Sequence, residues 1–400
     1  MRILHVIRSV NRVNGGPAEG VRQLMAATFA LGQYPEVLTL DAPDDEWVKS
    51  FPGEIHALGP VALNYGYTGR LDRWLRHHAR EYDALVIHGL WQFHGLAVWR
   101  ALRGGPLPYF LYPHGMLDPW FRHAYPSKHL KKSLYWRLVE SRVVNGAAAV
   151  LFTASEEARL AEQTFSGYRA KPAVIGYGIV VGDTARLGSA EAFARDWPET
   201  RGKRNVLYLG RLHPKKGGDL LIEAFAQAAA ADASLHLVMA GPDDGAGTQA
   251  MWQALALRLG IADRITWTGM LDGDAKWSAI QAADVFALPS HQENFGIAVV
   301  EALALGVPVL ISDKVNIWRE IVADRAGFAE SDTLEGTVTA LRKWFALGAE
   351  QRTSMKMHAV ACYQKHFHMA SAAQRLINVV KPHTRYRHEA VTRQGLDSQP

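Results

Sequence analysis

Short, nearly unbroken apolar runs alternate with amphipathic stretches along most of the chain. In the first half the runs fall at 3–7, 37–40, 84–88, 109–112 and 148–153, most of them bounded by Gly, Pro or Asp. Runs this short and this apolar suit parallel strands buried on both faces. Between them, 17–31 places Val21, Leu24, Met25 and Thr28 on one helical face, and 71–80 and 96–102 behave alike. Strand and helix in alternation predict βαβ units, hence a doubly wound α/β sheet.

Residues 181–204 interrupt the pattern with polar, Gly- and Pro-containing text and read as a linker. A second series follows, with strands expected at 206–209, 235–240, 265–268, 285–288 and 307–312. Helices are expected at 220–230, 249–259, 275–282 and 296–305. Two Rossmann-like α/β domains result, 1–180 and 205–365. A helix at about 366–381 is expected to return to the first domain, and the tail 382–400 lacks an apolar period and is expected to fray. Ligands of such sheets sit beyond the carboxyl ends of the strands, so the residues just after each strand are where chemistry belongs.

A length of 400 residues fits two domains. The 48% hydrophobic and 21% charged residues exclude wholesale disorder, and a single cysteine, Cys362, excludes a disulfide scaffold and favours a reducing compartment. A net charge of +5 is too small to indicate nucleic acid but suits an anionic small molecule or an acidic membrane surface. The uncharged run 146–155 falls well short of the ~18 residues of a membrane helix. The expectation is a cytoplasmic protein, soluble or peripheral to the membrane.

Four turns carry candidate chemistry. Asn14-Gly15-Gly16-Pro17 follows the first strand and opens a helix, where free N–H groups and the dipole favour an anion; the alternative is a plain βα turn. Its spacing is not G-x-G-x-x-G, which argues against a nicotinamide enzyme. His114, before Gly115 and after the strand 109–112, could donate to a sugar hydroxyl or a phosphate, or simply bond nearby backbone. Gly210-Arg211 and Lys215-Lys216-Gly217-Gly218 bring a rigid fork and a mobile cation to a strand end and a helix start, a pairing suited to a diphosphate. The Walker spacing is absent, so a P-loop NTPase is excluded. Finally, Glu293-Asn294-Phe295-Gly296 follows a strand, with a helix expected to begin near Asn294 and open the N–H groups of Phe295 and Gly296 to hydroxyls or anions. Glu301 lies inside that apolar helix, where a carboxylate needs a partner: ribose hydroxyls, or a structural Arg or Lys.

Gly210-Arg211-Leu212 with Lys216-Gly217, then Pro289-Ser290 and Glu293-x7-Glu301, resembles the retaining glycosyltransferases of family 4, of bacterial polysaccharide and lipopolysaccharide type. The likeness extends from Gly15-Gly16 through His114-Gly115 to Val322. It implies the GT-B fold, two Rossmann-like domains facing a central cleft, with acceptor on the first and nucleotide sugar on the second. It implies that Arg211 and Lys216 hold the donor diphosphate and that Glu301 binds the ribose. Glu293 with Asn294, Phe295 and Gly296 would hold the donor sugar, His114 would touch it, Gly16 would bring backbone close to the phosphates, and Gly210 would belong to the nucleotide-binding residues. Transfer would come from a UDP- or GDP-hexose to a hydroxyl of a glycan or polyprenyl-linked glycan, with no metal or other cofactor. One loop departs from the family: 312–322 lacks the usual glycine pair, leaving Lys314 or Asn316 as substitutes.

Residues 122–142 carry Arg122, Lys128, Lys131, Lys132, Arg137 and Arg142 against Glu140, interleaved with aromatics and leucines. Such a segment either lies on anionic lipid or buries its aromatics and solvates its basic face; no nucleic-acid motif accompanies it. The seventeen histidines show no metal-ligand spacing. Competing functions are a GT-B epimerase or phosphorylase, and a non-catalytic subunit of a membrane polysaccharide assembly.

Overall fold

The computed structural model describes residues 1–11, 16–61, 64–120, 122, 126–182, 187–243, 245 and 247–396, of which 385–396 by backbone alone. Asn14 and Gly15 of the first glycine turn lie outside the described residues. The chain divides into two compact units, Met1–Gly178 with His368–Pro400, and Ile179–Phe367.

The first unit is a seven-stranded sheet: β1 (Arg2–Ile7), β2 (Tyr34–Thr39), β3 (Ile55–Ala57), β4 (Ala84–His88), β5 (Tyr109–Tyr112), β6 (Ala149–Phe152) and β7 (Pro172–Val174). Its order is β3-β2-β1-β4-β5-β6-β7, with every pairing parallel. The apolar runs supply the middle: β4, β5 and β6 are buried along their whole length, as strands covered on both faces must be. Helices α1 (Gly16–Ala30), α2 (Gly69–His78), α3 (Phe93–Leu102) and α4 (Pro126–Tyr135) follow strands β1, β3, β4 and β5. The last helix, Met369–Leu396, packs against α1 and donates Arg375 Nε to the Ile175 carbonyl at 2.7 Å. It continues through Pro382 rather than stopping at 381. A proline within a helix removes one N–H without forbidding the helical φ, so it weakens that turn without ending it.

The second unit is six-stranded: β8 (Arg204–Leu209), β9 (Leu235–Ala240), β10 (Ile265–Gly269), β11 (Val285–Leu288), β12 (Val309–Ser312) and β13 (Gly327–Glu330). Its order, β10-β9-β8-β11-β12-β13, repeats the first with parallel pairings throughout. The helices that concern the site are α5 (Gly218–Ala228), α6 (Thr248–Arg258), α7 (Gly273–Gln281) and α8 (Ile297–Ala304). The doubly wound α/β expectation is met in both units. The described part of 181–204, a range read as a linker, belongs instead to the second unit. Helix Ala190–Asp196 buries Phe193, stacked on Trp197 at 4.6 Å, and Ser189 N–H donates to Ser278 Oγ on α7 at 3.0 Å. One buried aromatic was too little apolar pattern to reveal this from sequence.

In each sheet the chain reverses its winding direction once, between β1 and β4 and between β8 and β11. That switch point leaves a crevice beyond the strand ends, the usual ligand position of doubly wound sheets.

Candidate active site

At the β8/β11 switch point two loops are tied together. The turn after β8 is a 3₁₀ segment, Pro214–Lys216, capped by His213, whose Nδ1 accepts the Lys215 N–H at 3.0 Å. The Lys215 carbonyl accepts from His291 N–H at 2.8 Å and Ser290 Oγ at 3.1 Å, so the loop after β11 hangs on the loop after β8. Gly217 makes the approach possible: its φ is 67°, and a Cβ there would stand 2.1 Å from the Pro289 carbonyl oxygen. The result places Lys216 Nζ against a Glu293 carboxylate oxygen, both side chains largely buried.

The structure thus brings together two residues, Lys216 and Glu293, that the sequence assigned separately. Glu293 is further fixed by its backbone, accepting Asn316 N–H at 3.0 Å and donating to the Lys314 carbonyl at 3.0 Å. Asn316 is buried, and its Nδ2 donates to Asn294 Oδ1 at 3.3 Å. The loop without family glycines therefore braces the Glu293–Asn294 turn. Lys314 instead pairs with Asp313 at 2.9 Å. Arg211 is exposed beyond β8, its carbonyl held by the Tyr208 hydroxyl at 2.8 Å, and its guanidinium forms no ion pair among the described residues. Gly210 precedes it. Helix α8 begins at Ile297 rather than near Asn294, with Gly296 as its cap and Phe295 buried edge-on against Phe367 at 5.9 Å. A left-handed Gly296 cannot continue the helix, which moves its start three residues on.

Glu301 does not wait unpaired. Lys276 of α7, itself over the Trp277 ring at 4.3 Å, donates to Glu301 Oε1 at 2.7 Å. Burial pushes the Glu301 carboxyl upward and Lys276 pulls it back. Oε2 makes no hydrogen bond among the described residues. Lys276 is a partner of Glu301 that sequence reasoning missed; a lysine 25 residues away in another helix gives no signal of its own.

At the β1/β4 switch point of the first unit, an open cavity of about 500 Å³ is lined by residues including Arg8, Asp41, Asn64, His88, Gln92 and His114. His114, at φ 50°, stacks on Tyr112 with ring centres 4.7 Å apart. Behind it runs a file of histidines: His114 Nε2 to His88 Nδ1 at 3.0 Å, then His88 Nε2 to His5 Nδ1 at 2.9 Å. Burial pushes His114 down to about 3 and His5 to about 4, and His88 well below the ordinary range, so all three rings are neutral at pH 7. The neighbouring Gly115 N–H donates at 2.7 Å to the buried Glu157, which also takes the Thr153 N–H at 2.7 Å. Sequence reasoning singled out neither His88, a polar residue closing an apolar strand run, nor Glu157. Gly16 begins α1, and its carbonyl accepts the Tyr177 hydroxyl at 2.7 Å. His114 and Gly16 belong to the first unit, and the remaining assigned residues belong to the second.

Two family models match the chain in succession: "Glycosyl transferase 4-like domain" over residues 15–178 and "Glycosyl transferases group 1" over 189–359. A D-inositol 3-phosphate glycosyltransferase of Nocardia farcinica is 30% identical over 179 residues, 44% of this chain and 39% of that one. The chain thus spans less than half the length of that relative. Among solved structures, sucrose-phosphate synthase from Thermosynechococcus elongatus superposes with a TM-score of 0.71 at 19% identity, covering 98% of this chain and 100% of that one. Anabaena HepE in complex with UDP and glucose gives 0.70 at 18%, covering 96% and 100%. These likenesses speak for the fold, and the paired family models speak for descent: the chain belongs to the glycosyltransferases of family 4 and has the GT-B fold.

Proposed function

We propose that the protein transfers a hexose, with retention, from a UDP- or GDP-sugar to a hydroxyl of a glycan or lipid-linked glycan, in the cytoplasm at the inner face of the cell membrane. The observation that carries this reading is the cation–carboxylate cluster at the β8/β11 switch point, where Lys216 and Glu293 meet beside Arg211. A solved neighbour of the same fold holds UDP and glucose.

Arg211 and Lys216 take the diphosphate, as fixed positive charges that need no metal or cofactor to neutralise the leaving group. Glu301 accepts a ribose hydroxyl on Oε2 while Lys276 keeps Oε1. Glu293 and the Asn294–Gly296 backbone hold sugar hydroxyls. Gly16 and Gly210 allow close backbone approach to phosphate oxygens. In the first unit, His114 donates to a sugar hydroxyl. Its tautomer follows from the histidine file. His5 Nε2 is buried without a partner, and an orphaned ring nitrogen is tolerated better bare than carrying a proton. The protons therefore sit on His5 Nδ1 and His88 Nδ1, leaving His114 protonated at Nδ1.

Retention proceeds on one face of the sugar. The bond from the anomeric carbon to the phosphate oxygen breaks, the acceptor oxygen bonds the same face, and its proton passes to the departing phosphate. Glu293, already tied to Lys216, is a gripping group rather than a nucleophile. Calorimetry with UDP and GDP, followed by proton NMR of the product's anomeric centre, tests the reading. Lys216→Ala should weaken nucleotide diphosphate binding by about tenfold or more, the worth of one charge-assisted hydrogen bond. Unchanged affinity, an inverted product or a trapped glycosyl–Glu293 adduct would overturn it.

A further inference from the structure

In the first unit, α4 and the π-helical turn that continues it, Trp136–Glu140, present a surface that the transfer site does not use. Leu130, Leu134 and Leu138 recur every fourth residue and are 73%, 63% and 57% exposed. The aromatics of the segment turn the other way: Trp136 is buried and stacks on Phe165 at 4.9 Å, which in turn stacks on His129 at 5.0 Å. A single exposed leucine is unremarkable, but three in one file form a contiguous apolar stripe.

The charge around the stripe has one sign. Lys128, Lys131, Arg137 and Arg142 are exposed, while Glu140, the acid within 126–142, is buried and pushed up to about 7 by its burial. Beside the stripe opens a cavity of about 570 Å³ with His129, Trp136 and Phe165 among its walls and Arg122, Arg137 and Arg169 at its rim. None of these three guanidinium groups forms an ion pair among the described residues.

We propose that this face docks on an anionic lipid bilayer, the three leucines entering the apolar layer and the arginine-rimmed cavity taking the phosphate of one headgroup. Charge complementarity selects the occupant. A second copy would bring the same cations against one another, and a soluble phosphate would leave the leucine stripe in water. No helix among the described residues is long and apolar enough to cross a membrane, so the attachment is interfacial, and leucines with flanking Lys and Arg are the pattern that lies in such an interface. The proposal does not depend on the donor assignment above.

The test is co-sedimentation of the full chain with phosphatidylcholine vesicles lacking or containing phosphatidylglycerol. Binding is expected with phosphatidylglycerol alone and is expected to fall with salt. Leu130→Ser/Leu134→Ser/Leu138→Ser should lose about tenfold or more in vesicle affinity. Its Tm should hold, because the removed side chains are exposed. Arg137→Gln/Arg169→Gln should weaken binding to anionic vesicles and reduce its salt dependence. Millimolar glycerol phosphate should leave the protein on the vesicles. Equal binding to neutral vesicles, full binding by the leucine variant, release by glycerol phosphate, or a dimer in light scattering that the leucine variant abolishes would each overturn the proposal.

Discussion

Glu301 has two candidate partners, a lysine within the fold and a ribose hydroxyl from the donor, and a pair of substitutions separates them. Lys276→Met strands a carboxylate that is only about one-tenth exposed, since the side chains of Lys276 and Glu301 are 25% and 11% exposed. Removing one partner of a fully buried pair costs ~3–5 kcal/mol; with Lys276 a quarter exposed, water screens part of this, and about 2 kcal/mol is expected. Glu301→Ala leaves an ammonium that can reach water from its place over Trp277, and should cost about 1 kcal/mol. In Lys276→Met/Glu301→Leu both charges go together and most of the loss should be recovered, as for other buried pairs replaced by apolar groups. Urea unfolding gives the three stabilities, and calorimetry with UDP gives the second half of the answer. A hydrogen bond to a carboxylate is worth roughly 1.5–3 kcal/mol, so Glu301→Ala should lose about ten- to hundredfold in UDP affinity. Lys276→Met, which keeps the carboxylate, should lose less. If Glu301→Ala binds UDP as the wild type does while the double variant recovers stability, Glu301 serves the fold and not the nucleotide.

Acid should destabilise the protein through its buried imidazoles. His5 and His94 are held at about 4 and His114 at about 3, whereas an unfolded histidine protonates near 6.5. Below pH 6.5 the unfolded chain binds protons that the folded chain refuses, so stability falls with falling pH by ~1.4 kcal/mol per unit for each ring. Glu140, raised to about 7, has the opposite sign between its unfolded value near 4.5 and 7 and offsets one ring. Urea midpoints at pH 7.5, 6 and 5 should fall steadily, and a flat profile would contradict neutral rings. Histidine ring nitrogens labelled with ¹⁵N should report His114 protonated at Nδ1 at pH 7, and His88→Phe should release that tautomer to a mixture. Gly217→Ala should lower stability by about 2–4 kcal/mol, because a positive φ and the Pro289 carbonyl both oppose a Cβ, and UDP affinity should fall with it as Lys216 shifts. Gly20→Ala puts a Cβ 1.3 Å from the Tyr177 hydroxyl; loss of the Tyr177–Gly16 bond should lower Tm, and an unchanged Tm would count against that packing.

Much of this protein was legible in its letters. The strands β4, β5, β6 and β11 are nearly continuous apolar runs because both faces of a parallel sheet are covered, and that constraint acts residue by residue along the chain. The same logic singled out Arg211, Lys216, Glu293 and His114 as candidates, since a polar or charged residue just past a buried strand stands where a doubly wound sheet binds ligands. The edges were not legible: β3 and β7 are three residues each and only half-covered, and β13 opens on Gly327, so none carries a distinctive pattern. Nor were the partners. Lys276 lies 25 residues from Glu301, Lys216 lies 77 from Glu293, and His5 lies 83 from His88. Nothing local in a sequence records a pairing made by the return of the chain to a neighbouring strand. The direction taken by the leucines of α4 was likewise undecidable from period alone, because aromatics inside with leucines outside has the same 3.6-residue repeat as the reverse. Local sequence determined which segments became buried strands and which chemistry stood at their ends; tertiary structure alone decided which charges met, which histidines joined in a file, and which apolar face was left to water.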